Sequence, residues 1–393
     1  MRFYGLPLLL VLIPESNAFL TPTVNCLTKR HVLPLSAAPD RLEDNTDGVL
    51  YVNSKCINCQ ACNQFAPTIF DYSPKHAKYV VKKQPTSTSS ELENARAALS
   101  ACPVAAIRVE NSAQRNHVNK DKLTPAEEEL ANDLVINPKV NQLPLPFPRR
   151  LAEGVYYLGH HDHKSFGAVP YLVTTGSVCV MVDTPKFSPS AVRAVESLCG
   201  ADGPEYLFLT HVDDVGDHGK WKERYPRLKR IFHEGDLGRH NWIGDLTLER
   251  VEILLRGGSG ADDLRSLKTW NLEGEEVHVS PDEDEREFTI IHTPGHSPGS
   301  ICLLYRNRQN ERGVLFTGDT LGYSNRIARL TGFPRYGNDL KKQSDILAQL
   351  IQLPLQWDIV APGHGKCRDY SNEDDGVKDM EVMQAIKELQ STY

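Results

Sequence analysis

The stretch LTHVDDVGDH (209–218) places two histidines and three aspartates at the end of an apolar run. Imidazole nitrogens and carboxylate oxygens are ligands for zinc, iron and manganese, and a carboxylate-rich set favours the harder metals. The stretch therefore indicates a metal site. The familiar order of such a cluster is His-x-His-x-Asp-His, whereas here Asp213 stands two residues after His211 and the Asp-His pair follows only at 217–218.

Other polar residues of the same kinds occur where other apolar runs end: Asp183, His292, Asp319 and His364. HTPGHSPGS (292–300) presents His296 on a Pro-Gly turn, and VLFTGD (314–319) places Asp319 on a glycine turn. Because the ends of neighbouring strands meet at one edge of a sheet, residues far apart in sequence can meet there. We therefore expect these side chains to lie near His211.

A second motif consists of CINCQACNQFAP (56–67) followed by CPVAAI (102–107). Three thiolates at C-x2-C-x2-C can surround one face of a cubane, and a distant Cys-Pro supplies the fourth corner. Zinc is the alternative, but zinc sites usually present two separated C-x2-C pairs. The four ligands would be Cys56, Cys59, Cys62 and Cys102, and because position 59 is a cysteine the motif favours [4Fe–4S] over a three-iron cluster.

The elements that position these residues fall into two patterns. From Leu151 onward, short β-rich runs alternate with helical segments, which predicts layered packing of helices on sheets. Upstream, Thr124 with Pro125 and Glu127 predicts a short helix, and a proline-rich stretch follows it as a stiff linker. The predicted organisation is a leader (1–47), a small cluster domain (48–112), a linker (113–150) and a large domain with a C-terminal helix (151–393).

Composition narrows the setting in which the chain works. Its 393 residues carry a net charge of −7, which argues against nucleic acid as a partner, and no run reaches the roughly 20 apolar residues needed to span a bilayer. The nine cysteines form no paired framework and indicate a reducing compartment. We expect no membrane association in the mature form.

The first residues predict a targeting leader. Arg2, the apolar LPLLLVLI (6–13) and the small residues before Phe19 fit a signal peptide, although a buried apolar strand is the alternative. The next segment is basic and hydroxyl-rich, as transit peptides are. This order resembles the bipartite leader of algae with secondary plastids and predicts the plastid stroma, with the secretory pathway or another organelle as alternative.

Two family resemblances follow from these motifs. Residues 48–110 resemble a single-cluster bacterial-type ferredoxin, including Phe65-Ala66-Pro67 after the third cysteine. Residues 151–370 resemble the metallo-β-lactamase fold and, within it, the glyoxalase II-like hydrolases, whose order is His…Asp-His…HTPGH…GD…GH. Together they imply an α+β chain in which a ferredoxin-like domain precedes a metallo-β-lactamase αββα sandwich.

The second resemblance also implies two divalent metals, zinc or iron. By it, His211 and His296 hold one metal, whereas Asp217, His218 and His364 hold the other. Asp319 bridges them, Asp217 also orients the attacking hydroxide, and Asp183 supports the ligands by hydrogen bonding. At the altered position three interpretations stay open: Asp213 replaces the histidine as ligand, the first site is weakened, or Asp213 and Asp214 only support a helix N-terminus. His233 and the run HHDH (160–163) are spare candidates.

The implied function is a metal-dependent hydrolase acting on a small ester, thioester or similar substrate. The arginines at 326, 329 and 335 could meet an anionic group of that substrate. The alternative is a redox enzyme, because flavodiiron proteins place a di-iron centre in the same fold and receive electrons from an attached domain. A redox partner for the ferredoxin-like domain is then expected. A third alternative is an electron-transfer or scaffold protein with an inactive metal site.

Overall fold

The computed structural model describes residues 40–86, 88–110, 122–136, 143–258, 267–279, 286–307, 313–324, 326–374 and 376–393. The predicted signal and transit-like segments of the leader, up to residue 39, lie outside these ranges, as do parts of the linker. Within the described ranges, no helix combines the length and the apolar composition needed to cross a membrane.

Among the described residues, the small domain is built from two strand pairs and three helices. Its elements are β1 (Leu50–Val52), α1 (Ala61–Phe65), β2 (Phe70–Ser73), β3 (Lys78–Val81), α2 (Ser89–Ala101), β4 (Ile107–Val109) and α3 (Pro125–Asp133). Strand β1 pairs with β4 and β2 with β3, both antiparallel. The buried core extends past the predicted boundaries, because Leu42 from the leader and Leu123 and Leu134 from the linker pack into it.

Helix α3 begins as predicted. The Thr124 hydroxyl accepts from the backbone N–H of Glu127 at 3.3 Å, and the Glu127 carboxylate accepts from the backbone N–H of Thr124 at 2.8 Å. These two bonds form a capping box and satisfy donors that the first helical turn leaves free.

The first half of the large domain consists of β5 (Arg149–Ala152), β6 (Val155–Tyr157), β7 (Tyr171–Thr174), β8 (Cys179–Val182), α4 (Pro189–Cys199), β9 (Tyr206–Phe208), α5 (His218–Arg224), β10 (Lys229–His233) and β11 (Ile253–Leu255). Among the described residues, its seven strands form one sheet in the order β11-β10-β9-β8-β7-β6-β5. Strands β8 to β11 are parallel, so their carboxyl ends share one edge.

The second half of the large domain consists of β12 (Thr269–Trp270), β13 (Phe288–His292), β14 (Ile301–Arg306), β15 (Gly313–Gly318), β16 (Gly322–Ser324), β17 (Arg329–Thr331), α6 (Leu340–Leu350), β18 (Ile359–Pro362), β19 (Arg368–Asp369) and α7 (Val377–Gln390). Six of its described strands form the second sheet, in the order β12-β13-β14-β15-β18-β19. Strands β15 and β18 are parallel neighbours, and β16 pairs with β17 in a separate hairpin.

The two sheets pack face to face with helices on both outer surfaces. Strand β14 shows why: Ile301 and Leu303 enter the core between the sheets, while Cys302 and Leu304 join the core beneath α6 and α7. On the other side, α4 and α5 cover the first sheet, with Trp221 fully buried. Because successive side chains point to opposite faces, a strand buried on both faces must be apolar throughout. The predicted αββα sandwich is confirmed.

The small domain is anchored on the large one by an aromatic side chain. Phe65 at the end of α1 makes edge-to-face contacts with Phe147, Tyr157 and His161, at ring-centroid distances of 5.1, 5.4 and 6.0 Å. Such pairs add about 0.5–1.5 kcal/mol each beyond simple burial. The anchor lies three residues beyond Cys62 and thus positions the cysteine loop against the large domain.

Candidate metal centre and cluster site

Three ligand residues form the first half of the candidate centre. The ligating atoms of His211, His296 and Asp319 all lie within 4.8 Å of one another. The two imidazoles meet edge to face at a ring-centroid distance of 4.8 Å, and Asp319 Oδ2 is 3.7 Å from His296 Nε2. His211 follows β9 and Asp319 follows β15, so the two sheets supply one ligand group together.

The second half consists of Asp214, Asp319 and His364, again with ligating atoms within 4.8 Å of one another. Asp319 Oδ1 accepts from His364 Nδ1 at 2.8 Å, while its Oδ2 faces the first half. Asp319 thus belongs to both groups with one oxygen on each side, as a bridging carboxylate requires.

Local backbone geometry explains why Asp214 joins the centre. Residues Val212–Asp214 form a 3₁₀ turn, in which side chains three residues apart lie on one side. His211 Nδ1 and Asp214 Oδ2 are accordingly 3.8 Å apart. Gly363 leaves the room that Asp214 needs, because a Cβ there would lie 2.7 Å from Asp214 Oδ2 and 3.1 Å from Asp319 Oδ1.

Unsatisfied atoms show that this pocket suits a cation. Among the described residues, His211 Nε2, His296 Nδ1, His364 Nε2 and both carboxylate oxygens of Asp214 are buried without a hydrogen-bond partner. Buried polar atoms are nearly always paired, since each unpaired one costs about 1–3 kcal/mol. Five such atoms on four neighbouring residues fit one or two bound metal ions.

The electrostatics of the centre support the same conclusion. Burial raises the pKa of Asp214 well above its ordinary range. Burial also lowers the pKa of His211 to about 4, which leaves the neutral imidazole that binds metal. For His364, burial lowers the pKa, but the carboxylates of Asp319 and Asp214 outweigh it and raise the value to about 10. The two carboxylates thus favour a positive charge at this position.

Asp213, the residue at the altered position, stands beside the first group. Its Oδ2 is 3.7 Å from His211 Nε2 and 3.8 Å from His296 Nε2. Its Oδ1 accepts a hydrogen bond from the indole N–H of Trp242. The side chain is therefore held in place, with one oxygen directed at the two histidines. This placement suits the first of the three interpretations, replacement of a histidine ligand by a carboxylate.

The structure does not support Asp217 and His218 as ligands. The Asp217 carboxylate accepts from Lys164 at 2.7 Å and from the backbone N–H of Phe187 at 2.9 Å. His218 Nε2 donates to Asp245 at 3.0 Å, and its Nδ1 accepts from Arg230 at 3.1 Å. Both residues lie at the start of α5, beyond the 3₁₀ turn that brings Asp214 to the centre. At that position their polar atoms bond to the partners just named.

The supporting candidates have structural partners. Asp183 accepts from the backbone N–H of Thr210 at 2.9 Å and from its hydroxyl at 3.0 Å, which fixes the residue before His211. His233 and His292 stack at 4.1 Å, and His233 Nε2 donates to the carbonyl of Gly257 at 2.9 Å. Neither histidine belongs to a ligand group among the described residues.

Sequence reasoning missed Asp214 as a ligand and Trp242 as the partner of Asp213. The three-residue spacing between His211 and Asp214 would have identified the former if a 3₁₀ turn had been expected. Trp242 follows no pattern, because a loop far along the chain delivers it.

The four motif cysteines line one cavity of the small domain, together with Ile57, Gln60, Ala61 and Val104 among others. Burial, with repulsion from Cys102 and Cys56, raises the pKa of Cys59 to about 12. The backbone N–H of Ala106 donates to Cys102 Sγ at 3.2 Å. Thiolates that are buried together need a positively charged partner, and an iron–sulfur cluster supplies one through its iron ions.

The cysteine loop and the candidate centre face the same cleft of about 840 Å³. Cys59 lines one side of it, while Asp213, His296, Asp319 and His364 lie at its base. Gly167 separates the two sites: a Cβ there would lie 2.7 Å from Cys59 Cβ and 3.1 Å from its Sγ. Two residues further on, Val169 donates its N–H to the carbonyl of Gly363 at 2.7 Å, next to His364.

Comparison with known families agrees with this architecture. A family model described as the metallo-beta-lactamase superfamily matches residues 166–364, and that range contains all the candidate metal ligands. The chain belongs to the metallo-beta-lactamase superfamily. A second model, described as the 4Fe-4S single cluster domain of ferredoxin I, matches residues 52–109 and includes the four cysteines. This superfamily member therefore carries a single-cluster 4Fe-4S domain.

Individual relatives are similar over part of the chain. Hydroxyacylglutathione hydrolase GloC of Haemophilus influenzae is 40% identical over 97 residues, which cover 24% of this chain and 40% of the relative. Lactamase-like protein aptB of Emericella nidulans is 25% identical over 206 residues, covering 52% of each chain. The chain thus spans about half the length of these relatives, or less. The solved structure of DIM-1 metallo-beta-lactamase matches with a TM-score of 0.41 at 14% identity, covering 62% of this chain and 97% of that one.

Proposed function

We propose that this superfamily member is a metal-dependent hydrolase of an ester, thioester or similar carbonyl substrate. The observation that carries the proposal is the convergence of buried ligand atoms without partners at the base of an open cleft. The cleft volume falls within the roughly 300–1,000 Å³ of small-molecule sites. Two divalent ions, zinc or iron, held there would supply an acidified water and a Lewis acid for the carbonyl.

The chain's own residues divide the work in this proposal. Asp319 joins the two halves, His211 and His296 serve the first, and Asp214 and His364 serve the second. Asp213 takes the role of orienting the attacking hydroxide, which the family resemblance implied for Asp217. Burial raises its pKa, but His296 and His211 lower it more, so the carboxylate stays ionised. It lines the cleft and can accept a hydrogen bond from a molecule bound there.

Elemental analysis and a substrate panel test the hydrolase directly. After anaerobic purification, we expect about four irons from the cluster and about two further divalent ions per chain. The protein should hydrolyse at least one member of a panel of esters, thioesters and lactones. A thioester belongs in the panel because GloC, one of the similar proteins, is a hydroxyacylglutathione hydrolase. Full metal loading without hydrolysis of any panel member would contradict the proposal.

A redox enzyme is the second candidate, favoured by the position of Cys59. The cysteine lines the same cleft as the metal ligands and packs on Gly167, so a cluster there adjoins any molecule bound in the cleft. In this alternative the centre holds two irons, and the ferredoxin-like domain passes electrons to it. Elemental analysis together with the substrate panel separates the two candidates: about six irons, no zinc and no hydrolysis of the panel favour the redox enzyme, whereas four irons with about two zincs and hydrolysis of a panel member favour the hydrolase.

A further inference from the structure

Exposed apolar side chains gather around the mouth of the cleft. Ile57, Phe166, Trp242 and Tyr336 all line it, and they are 44%, 58%, 48% and 74% exposed. A single exposed apolar residue is ordinary, but several around one concave site mark a surface that an apolar ligand covers.

Both domains contribute to this apolar rim. Ile57 lies between two cluster cysteines, and Val104 follows the fourth cysteine on the same side of the cleft. Trp242 and Tyr336 come from loops of the large domain. Because Cys59 packs on Gly167 and Phe65 is anchored among aromatic rings, the small-domain wall has a fixed position. A ligand in the cleft must therefore fit against the cysteine loop.

The charges of the cleft argue against an anionic tail. Among the described residues that line it, none is lysine or arginine, and the carboxylates of Asp213 and Asp319 at its base offset charge of the ions proposed there. The three arginines expected to meet an anion do not line it: Arg329 pairs with Glu388 at 3.2 Å, and Arg326 and Arg335 lie on exposed surface. Within the part of the chain that the structure describes, no lysine or arginine lines this rim to pair with a carboxylate-bearing tail.

We infer that the cysteine loop is a substrate-binding wall and that the cleft takes a neutral substrate whose carbonyl carries a long or bulky apolar group. The inference rests on the proposed hydrolase and names its substrate class. Ile57 and Tyr336, on opposite domains, would set the preference for that group.

Binding of 2-alkanones tests the inference without turnover. These neutral ketones resemble esters but cannot be hydrolysed, and a series from 2-butanone to 2-dodecanone varies only the apolar chain. Each methylene that leaves water should tighten binding by up to about fourfold. Of the four tryptophans, Trp242 is exposed and the other three are buried, so a ligand on the rim should change the Trp242 emission. The visible circular dichroism of the cluster provides a second signal from the opposite wall.

Matched variants identify the wall. Ile57→Ala should remove much of the chain-length dependence while the cluster absorbance stays unchanged. Ile327→Ala, at a 36% exposed isoleucine that does not line the cleft, should keep the dependence. Tyr336→Ala repeats the test at a residue far from the cysteines in sequence. It should weaken the binding of long ketones several-fold more than the binding of short ones.

The outcomes separate this inference from the proposed hydrolase. Affinity that is independent of chain length, or equal losses in Ile57→Ala and Ile327→Ala, would overturn the substrate class. Length-dependent binding without hydrolysis of any ester would leave the apolar site standing and overturn the hydrolase. Hydrolysis that favours short or carboxylate-bearing substrates would support the hydrolase and overturn the apolar substrate class.

Discussion

The four cysteines of the small domain come from one loop and one helix end, whereas the ligands of the large domain come from the ends of four strands. Three cysteines lie within seven residues, and Cys102 follows α2 directly. By contrast, His211, His296, Asp319 and His364 are brought together only when both sheets form. The first site is therefore encoded locally, while the second depends on the tertiary fold. Changes at the two sites should accordingly have separable effects.

The largest effect is expected from Asp319→Asn. Asp319 belongs to both ligand groups, so losing its charge should remove both divalent ions and abolish hydrolysis. The cluster spectrum should not change, because no cysteine depends on this residue. Metal content after dialysis and visible absorbance provide the two measurements. Asp345→Asn, at a half-buried aspartate paired with Lys341, is the matched control and should keep both ions. Retention of both ions in Asp319→Asn would show that the groups do not share a bridge.

The converse change is Cys102→Ser, which removes one corner of the cluster. The protein should lose its broad brown absorbance or convert to a three-iron form. The divalent ions of the large domain should remain, since their ligands come from other elements. Electron paramagnetic resonance and elemental analysis would detect both results. An intact four-iron spectrum would refute the cluster assignment.

An intermediate effect is expected from Asp214→Asn, compared with Asp217→Asn. The former changes a ligand of the second half and should cost about one ion per chain. The latter changes a carboxylate paired with Lys164 and should keep both ions. Dialysis against a weak chelator, followed by elemental analysis, would show the difference. The opposite ranking would restore the ligand set implied by the Asp-His pair at 217–218.

The smallest effect concerns the contact between the sites. Gly167→Ala places a methyl against Cys59 and should alter the visible circular dichroism of the cluster while leaving the metal content unchanged. Gly176→Ala is the control, because Gly176 has a similar positive φ and nothing lies within 4 Å of its added Cβ. Both variants carry the backbone cost of about 1–2 kcal/mol. Identical cluster spectra in the two variants would mean that the contact does not constrain the cluster.

The features of this chain differ in how far they could be predicted from the sequence alone. The capping box at Thr124 was predictable because its two bonds join residues three apart. The convergence of His211, His296, Asp319 and His364 was also predictable, because each follows an apolar strand. The order of ligands within LTHVDDVGDH was not, since it depends on whether a 3₁₀ turn or a helix follows His211. A spacing rule taken from related sequences points to Asp217 and His218, whereas the structure brings Asp214 into the second ligand group.

The contribution of Trp242 could not be predicted at all. It lies 29 residues from Asp213, on a loop of 3₁₀ turns without regular periodicity. The shared cleft could not be predicted either, because no sequence pattern in either domain specifies how the two domains pack.

The anchoring of Phe65 limits how freely the two domains can be exchanged. Phe65 packs among Phe147, Tyr157 and His161, so a fragment starting near Arg149 would lose Phe147 and leave Tyr157 uncovered. Replacing the small domain by another ferredoxin would bring a different loop to Gly167. Neither domain can therefore be exchanged for another without changing this contact. A substitution at the Phe65 contact in one domain must be accommodated by the side chains of the other.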